Sequence, residues 1–268
     1  MSRRRESITV LVPARDEAAT IGAIVQDLME LHRTGVVDQV LVADHDSTDG
    51  TGEIAASLGA EVVRTRSVRP ELGPVLGKGD NLWRALSAAR GEIVCFVDAD
   101  SADFGPHFVR RLIEPLLSKP GVEYVKGFYR RPWRDGEAVE PTGGGRVTHL
   151  LARPLLSRFY PDLLAFDQPL AGEMAARRSL LERLPFATGY GLEIGLLIDA
   201  YREVGMAAMC QVDLDSRQNR HRPLEELAPM AEAVLDTLTA RLVDEGRLVG
   251  VTAVRSERQP LARVRAAA

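Results

Sequence analysis

The sequence predicts an α/β fold: a mostly parallel sheet with helices on both faces and a helical extension towards its carboxyl end. Three observations carry that expectation. Short β-branched runs alternate with helical stripes from residue 8 to residue 128, the pattern of strands wound right-handedly into a parallel sheet. These runs lack polar alternation, so they read as strands covered on both faces. Several end in acidic or small residues, at the edge where open α/β sheets place their ligands.

Taken in order, Ile8 to Val12 is the first strand and Pro13-Ala14-Arg15-Asp16-Glu17 the turn after it. Ala18 to Leu31 carries Ile21, Ile24, Val25, Leu28 and Leu31 at helical spacing. Val40 to Ala43 is a second strand, running into Asp44-His45-Asp46-Ser47-Thr48-Asp49-Gly50-Thr51. Ser47 or Thr48 is expected to cap the short helix that ends at Leu58. Glu61 to Arg64 is a third strand, and Thr65 to Gly77 an aperiodic loop with two Pro and two Gly. Lys78 to Ala89 and Phe108 to Leu117 are helical, and Val122 to Phe128 is a further strand.

Between those helices lies Ile93-Val94-Cys95-Phe96-Val97, a strand that runs straight into Asp98-Ala99-Asp100. In extended backbone, residues i and i+2 point to the same side, roughly 6–7 Å apart. Two carboxylates so placed can share one hard cation, and that cation suits diphosphate oxygens. A solvated turn after the strand is the plainer alternative.

Beyond Phe128 the pattern changes. Tyr129 to Gly145 is a polar, Gly-rich loop, and Arg146 to Phe159 is helical with a kink expected at Pro154. Gln168 to Arg177 mixes turn and strand, Glu193 to Val204 is helix, and Ala207 to Leu214 is strand. Leu224 to Val243 is a long amphipathic helix whose stripe packs on its own sheet or builds a dimer face. The chain thus divides into a nucleotide-binding part (1–128), the remainder of the same domain with its C-terminal helices (129–250), and an Arg/Ala-rich end (251–268) expected to be a mobile tail.

Composition bounds the function. With 45% hydrophobic and 27% charged residues the chain has the make-up of an ordinary globular enzyme. A formal charge of −4 argues against general nucleic-acid binding, which wants a basic footprint. Cys95 and Cys210 each lie in an apolar run, which favours inert buried thiols over a disulfide or metal site. The apolar run after the basic start stops at Pro13, too short for a signal segment or a membrane span. A cytoplasmic enzyme with no membrane association is the expectation.

Further motifs offer anion chemistry. Gly77-Lys78-Gly79-Asp80 fails the P-loop pattern, because Gly73 is one residue too close and Gly79 fills the Ser/Thr slot. What survives is a lysine between two glycines opening a helix, a site suited to diphosphate. Thr142-Gly143-Gly144-Gly145-Arg146-Val147-Thr148 offers a close-approach backbone, a bidentate fork and a hydroxyl to a second anionic substrate, or else a flexible linker. Gly189-Tyr190-Gly191-Leu192-Glu193 sets a carboxylate at a helix start, for a sugar or for the helix dipole. In Arg217-Gln218-Asn219-Arg220-His221-Arg222 a neutral imidazole, His221, can complete a metal's coordination beside the two aspartates.

Together these residues resemble nucleotide-sugar glycosyltransferases of the GT-A fold, a Rossmann-like architecture, and specifically the glucosyl-3-phosphoglycerate and mannosyl-3-phosphoglycerate synthase family. The landmarks are Val12-Pro13-Ala14, Asp44 with Ser47-Thr48-Asp49, Gly77-Lys78-Gly79, Asp98-Ala99-Asp100 and Phe128-Tyr129-Arg130-Arg131-Pro132. They continue with Thr142 to Thr148, Gln168-Pro169-Leu170-Ala171-Gly172-Glu173, Gly189 to Gly195, and Arg217 to Leu224. The resemblance spans about residues 8 to 240.

It implies transfer of a hexose from a nucleotide diphosphate sugar to the 2-hydroxyl of 3-phosphoglycerate, with retention at the anomeric carbon. By that carry-over Pro13, Ala14, Glu17, Asp44 and Lys78 hold the nucleotide, with Arg15 near the base and Ala99 beside the diphosphate. Asp98 and Asp100 hold Mg²⁺ or a similar ion such as Mn²⁺ or Co²⁺, and the chain's own His221 is the candidate for its third ligand. Gly145, Arg146 and Thr148 hold phosphoglycerate; Gln168, Leu170 and Gly172 form the floor beside the sugar; Tyr190, Glu193 and Arg217 complete the pocket. Glu193, Asp100 and Lys78 are the catalytic candidates, and a homodimer is expected.

The chain departs from the family pattern in places. The metal-binding His of the family falls at Asn219, with His221 two residues on. Ala171 stands where glucosyl enzymes usually have Gly, and Arg15 and His45 replace apolar or small residues near the base. Arg geometry suits O6 and N7 of guanine, which leans the expectation towards a mannosyl enzyme using GDP-sugars, with the UDP-glucose enzyme as the alternative. Two other classes compete. A nucleotide-sugar-binding module without turnover fits poorly with an intact aspartate pair, and a polyprenyl-phosphate glycosyltransferase needs a membrane-facing amphipathic element.

Overall fold

The computed structural model describes residues 6–101, 103–130, 133–135, 138–140, 145–217 and 223–266. In chain order its elements are β1 (Ile8–Ala14), α1 (Ala18–Arg33), β2 (Gln39–Asp44), α2 (Thr51–Ser57), β3 (Glu61–Arg64), α3 (Lys78–Leu86), β4 (Ile93–Phe96) and α4 (Pro106–Ser118). There follow β5 (Tyr124–Arg130), β6 (Trp133–Asp135), β7 (Ala138–Glu140), α5 (Arg153–Phe159), β8 (Met174–Arg177), α6 (Arg178–Leu181) and β9 (Phe186–Ala187). The chain ends with α7 (Leu192–Val204), β10 (Met209–Ser216), α8 (Leu224–Asp244), β11 (Glu257–Arg258) and α9 (Leu261–Ala266).

Seven strands form the main sheet in the order β10-β5-β8-β4-β1-β2-β3. All neighbours pair in parallel except β8, which runs antiparallel between β4 and β5. The alternation from 8 to 128 predicted β1 to β5; the parallel β10 corresponds to the later strand expected at Ala207 to Leu214, and β8 comes from the segment where turn and strand mix. Every residue of β1 and β2 is buried, as their unbroken apolar runs require. One core lies between the sheet and α1, α2 and α4, and the other between the sheet and α3, α5, α7 and α8. Cys95 is buried, Cys210 half-buried, and both are free thiols.

Several local expectations are corrected. The short helix α2 is not capped by Ser47 or Thr48; its N-cap is Gly50 at φ +90°, and Asp49 Oδ1 accepts the Thr51 N–H at 3.0 Å. Ser47 Oγ instead accepts the Asp16 N–H at 3.0 Å, and Asp16 Oδ1 accepts the Thr48 N–H at 2.8 Å. These bonds lace the loop after β1 to the loop after β2. The loop from Thr65 to Gly77 contains two 3₁₀ turns, Thr65–Ser67 and Pro70–Leu72. The helix expected over residues 146 to 159 is present, and it accommodates Pro154 by widening to a π turn over Thr148–Ala152 immediately before the α-helical turns of α5.

The carboxyl end differs most from expectation. Residues 256 to 261, anticipated as part of a mobile tail, form a strap across α3. Thr188 donates its N–H to Ser256 O at 2.8 Å, and β11 pairs with β9. Trp83 Nε1 donates to Gln259 O at 2.9 Å, and Leu261 is fully buried. The Arg/Ala composition hid this because the anchors are single side chains and backbone groups rather than a periodic stripe.

Candidate active site

Strand order places the site. β1 leads outward to β2 and β3, whereas β4 lies on its other side, so the gap between β1 and β4 is a topological switch point. The loop after β1 carries Pro13 to Glu17 and the loop after β4 carries Asp98 to Asp100, and both open onto that gap. Thr20 Oγ1 donates to Ala99 O at 2.6 Å and fastens α1 to the aspartate loop. Burial pushes the Glu17 carboxyl up, and the negative field of Asp100 and Asp98 adds to it.

Lys78, first residue of α3, joins the gap to α7. Its ammonium lies 2.6 Å from Asp98 Oδ1 and donates to Glu193 Oε1 at 2.8 Å. Burial pulls the Lys78 pKa down, but the two carboxylates outweigh it and hold it above the ordinary lysine range. Burial likewise raises the Asp98 pKa, and Lys78 with Arg217 reverses this and keeps that carboxyl far below its usual range.

The glycines flanking Lys78 do something other than cradle an anion. At Gly79 a side chain would collide with the Ala187 carbonyl, and at Gly77 (φ +117°) it would meet Thr188 O at 2.9 Å. The Gly79 N–H itself donates to Thr188 O at 2.9 Å. The start of α3 therefore spends that amide on a backbone neighbour. The Lys78 side chain is what it offers a diphosphate.

Arg217, at the end of β10, is nearly fully buried and binds three carboxylates. Its Nη1 donates to Glu173 Oε1 and lies 3.3 Å from Asp98 Oδ2, and its Nη2 donates to Asp100 Oδ1 at 2.7 Å. Tyr129 supports it with a hydroxyl 3.3 Å from Nη1 and a ring 5.6 Å from the guanidinium carbon. Gly172 completes the wall, because any side chain there would occupy the space of the Asp98 carboxylate.

Lys78, Asp98, Asp100, Gly172, Glu193 and Arg217 thus form one connected cluster. Pro13 and Ala14 are buried at the end of β1 and Arg15 is exposed beyond them. Asp44 ends β2, 4% exposed, and its Oδ1 accepts the Ser47 N–H at 3.1 Å. Its carbonyl accepts a bond from Thr65 Oγ1 at 3.1 Å. The His45 imidazole has its pKa lowered by burial and by Arg15. Gln168 Nε2 donates to Tyr129 O, Leu170 is half-buried, and Tyr190 is exposed. Gly145 adopts φ +78° ahead of the π turn that holds Thr148 buried, and Arg146 lies between them. Thr142 to Gly144 of the Gly-rich motif, Arg131 and Pro132, and both Asn219 and His221 lie outside the described residues.

A divalent cation fits what the cluster offers. Asp98 and Asp100 supply hard oxygen donors, Mg²⁺-type ions commonly take one or two carboxylates plus substrate phosphates, and the glycine at 172 keeps space clear beside Asp98. Among the described residues no group of three or more His, Cys, Asp or Glu is arranged to hold a metal alone.

Sequence reasoning missed two charged residues at this site. Glu173, named only as part of a motif, is fully buried and bonded to Arg217. Lys126 is buried in the middle of β5. The available signal was a charge inside an otherwise apolar central strand.

Comparisons with known proteins identify the family and the fold. The family model described as Glycosyl transferase family 2 matches residues 9–163. The glucosyl-3-phosphoglycerate synthase of Mycolicibacterium smegmatis is 46% identical over 246 residues, 92% of this chain and 81% of that protein. That of Mycobacterium tuberculosis is 46% identical over 251 residues, covering 92% and 76%. Among solved structures, the mannosyl-3-phosphoglycerate synthase from Rubrobacter xylanophilus superposes with a TM-score of 0.88 at 40% identity, covering 97% of this chain and 90% of that one. The M. tuberculosis glucosyl enzyme in complex with Mn²⁺, UDP and glucosyl-3-phosphoglycerate gives 0.83 at 41% identity, covering 97% and 92%. The curated relatives correct the lean towards mannose, since those with high identity and coverage are glucosyl enzymes. With its GT-A architecture and relatives matched along nine-tenths of its length, the chain is a glycosyltransferase and belongs to the glucosyl-3-phosphoglycerate synthase family.

Proposed function

We propose that this chain transfers glucose from UDP-glucose to the 2-hydroxyl of 3-phosphoglycerate, with retention at the anomeric carbon and with help from a divalent cation. One observation carries the reading: Lys78 bridges Asp98, beside the switch-point gap, to Glu193 at the start of α7, and we assign the first of these to the diphosphate and the second to the sugar. The relatives named above support the donor, the acceptor and the ion.

Asp98 and Asp100 would hold the cation, whose charge, when bound, stabilises the departing diphosphate. Lys78 supplies a second positive charge to the same leaving group. Pro13, Ala14, Arg15, Glu17 and Asp44 hold the nucleoside along the ends of β1 and β2. Gln168, Leu170, Gly172 and Tyr190 shape the sugar pocket, while Gly145, Arg146 and Thr148 hold the acceptor's phosphate and carboxylate. Glu193 orients the sugar or the attacking hydroxyl. Catalysis then rests on positioning and charge stabilisation: the acceptor oxygen bonds to the anomeric carbon on the face from which the diphosphate leaves, the bond to the diphosphate breaks, and the hydroxyl proton passes to the departing phosphate oxygen.

A donor panel of UDP-glucose, GDP-glucose and GDP-mannose against 3-phosphoglycerate with Mg²⁺ or Mn²⁺ tests the proposal, with products read by mass. The expected result is glucosyl-3-phosphoglycerate and phosphoglycerate-dependent UDP release. A preference for GDP-mannose would overturn the donor assignment, and release independent of phosphoglycerate would overturn the acceptor.

A further inference from the structure

β5 carries a charge where a central strand ordinarily has none. Lys126 pairs in register with Met174 of β8 and Gln211 of β10, so it lies inside the sheet rather than at an edge. It is 1% exposed, and its Nζ has no hydrogen-bond partner among the described residues. A buried ammonium left in that condition is costly.

Its surroundings indicate a use. Tyr124, two residues earlier on the same face of β5, belongs to the core layer of α3 and α7. Lys126 faces that layer. The charged groups whose fields reach it are Glu193, Lys78, Glu173 and Asp98, and the Glu193 carboxylate favours its ammonium form. Burial draws its pKa down to about 8 against the pull of Glu193. Glu173 Oε2, in the same cluster, also lacks a partner.

Lys78 meanwhile has two obligations already, Asp98 at 2.6 Å and Glu193 at 2.8 Å. A diphosphate drawn to Lys78 competes with Glu193 for that ammonium. Lys126, set into the sheet, cannot follow the leaving group and stays behind with Glu193.

We infer that Lys126 is a positioning residue, the standing counter-ion that keeps the Glu193 carboxylate in place when Lys78 engages the donor's diphosphate. This rests on the proposed glucosyl transfer. It assigns Lys126 no contact with substrate.

The test compares Lys126→Met and Lys126→Arg, each alone and combined with Glu193→Gln, by steady-state kinetics and thermal melts of the full chain. Lys126→Met is expected to lower kcat on the order of 10- to 100-fold, the effect of removing a charge that acts on Glu193 only once Lys78 is engaged, with both KM values little changed. Lys126→Arg should recover part of that loss. In the Glu193→Gln background Lys126→Met should lower kcat no further, because the two act as one unit. The Tm of Lys126→Met should equal or exceed that of the wild type, since an unpartnered buried charge is removed. An unaltered kcat, an equal loss in both backgrounds, or a fall in Tm that Lys126→Arg does not repair would each overturn the inference. Wild-type turnover is the control: its absence overturns the functional reading and this inference with it, whereas turnover with an unaffected Lys126→Met overturns the inference alone.

Discussion

Two residues apart on α3, Lys78 and Asp80 belong to ion-pair networks of opposite character. Asp80 is fully buried, and both of its oxygens are satisfied. Arg258 donates to both at 2.8 Å, Arg84 approaches Oδ1 at 3.2 Å, and the Leu76 N–H reaches Oδ2 at 2.9 Å. Arg84 spends its remaining donors on the carbonyls of Val68, Arg69, Gly73 and Pro74, and so fixes the loop before α3. The network around Lys78 is different. Of six buried side-chain polar atoms without a hydrogen-bond partner among the described residues, three belong to Lys126, Glu173 and Arg217, and Ser101 follows Asp100 directly. A saturated network rigidifies a fold, whereas spare buried donors and acceptors mark the place where another molecule completes the bonding. The contrast separates what holds this protein together from what it does.

Substitutions should divide along the same line. Asp98→Asn is expected to reduce transfer roughly 1,000-fold or more, as loss of a group that stabilises leaving-group charge does, while the melting temperature stays near that of the wild type. A large drop in Tm would return Asp98 to the structural side. Gly172→Ala should cost about 10- to 100-fold in kcat by displacing the Asp98 carboxylate from its productive position, and an unchanged rate would show that this contact is slack. Arg146→Ala should raise the KM for 3-phosphoglycerate about 10- to 100-fold, the worth of one or two charged hydrogen bonds, with the donor KM unaffected. Arg258→Ala should do the reverse. Unfolding titrations should show a loss of about 2–3 kcal/mol, because Asp80 loses its bidentate partner inside the fold, and kinetics should show both KM values preserved.

The smallest effect is in pH. Burial raises the Asp80 pKa, but Arg258, the Leu76 N–H and Arg84 outweigh it and hold the carboxyl below the ordinary aspartate range. A carboxyl depressed on folding stabilises the native state above its unfolded value, about 3.9, and that share is lost as pH falls through the folded value. Urea melts taken downward from neutral pH should therefore fall more steeply for wild type than for Arg258→Ala below about pH 4. Parallel curves would show that the pair contributes nothing.

The sequence was most legible where one residue type had one physical use. Ile8 to Val12 and Ile93 to Val97 are unbroken apolar runs, and unbroken runs belong in the middle of a parallel sheet. Asp98 and Asp100 could be placed at a strand end because that strand could be placed. Less legible were residues whose role depends on a distant partner. Gly77 and Gly79 resembled an anion cradle, yet the geometry of Ala187 and Thr188 demands them, about 110 residues away. Ser256 to Leu261 gave no periodic signal because their anchors are two carbonyls, a guanidinium and one leucine. Arg217 carried a hint in its cluster of basic residues, but that it would bind Glu173, Asp98 and Asp100 together followed only from the pairing of β10 with β5. Pattern reveals strands and helices; long-range pairing decides which charges meet.

The claim beneath all of this is that the acid pair ending the middle strand seats a metal ion on the donor's diphosphate. Calorimetric titration of UDP, in the presence of Mn²⁺, into the wild type and into Asp98→Asn tests it most directly. The account predicts Mn²⁺-dependent binding to the wild type that is lost or greatly weakened in the variant. Equal affinity for both proteins, or binding indifferent to Mn²⁺, would contradict it.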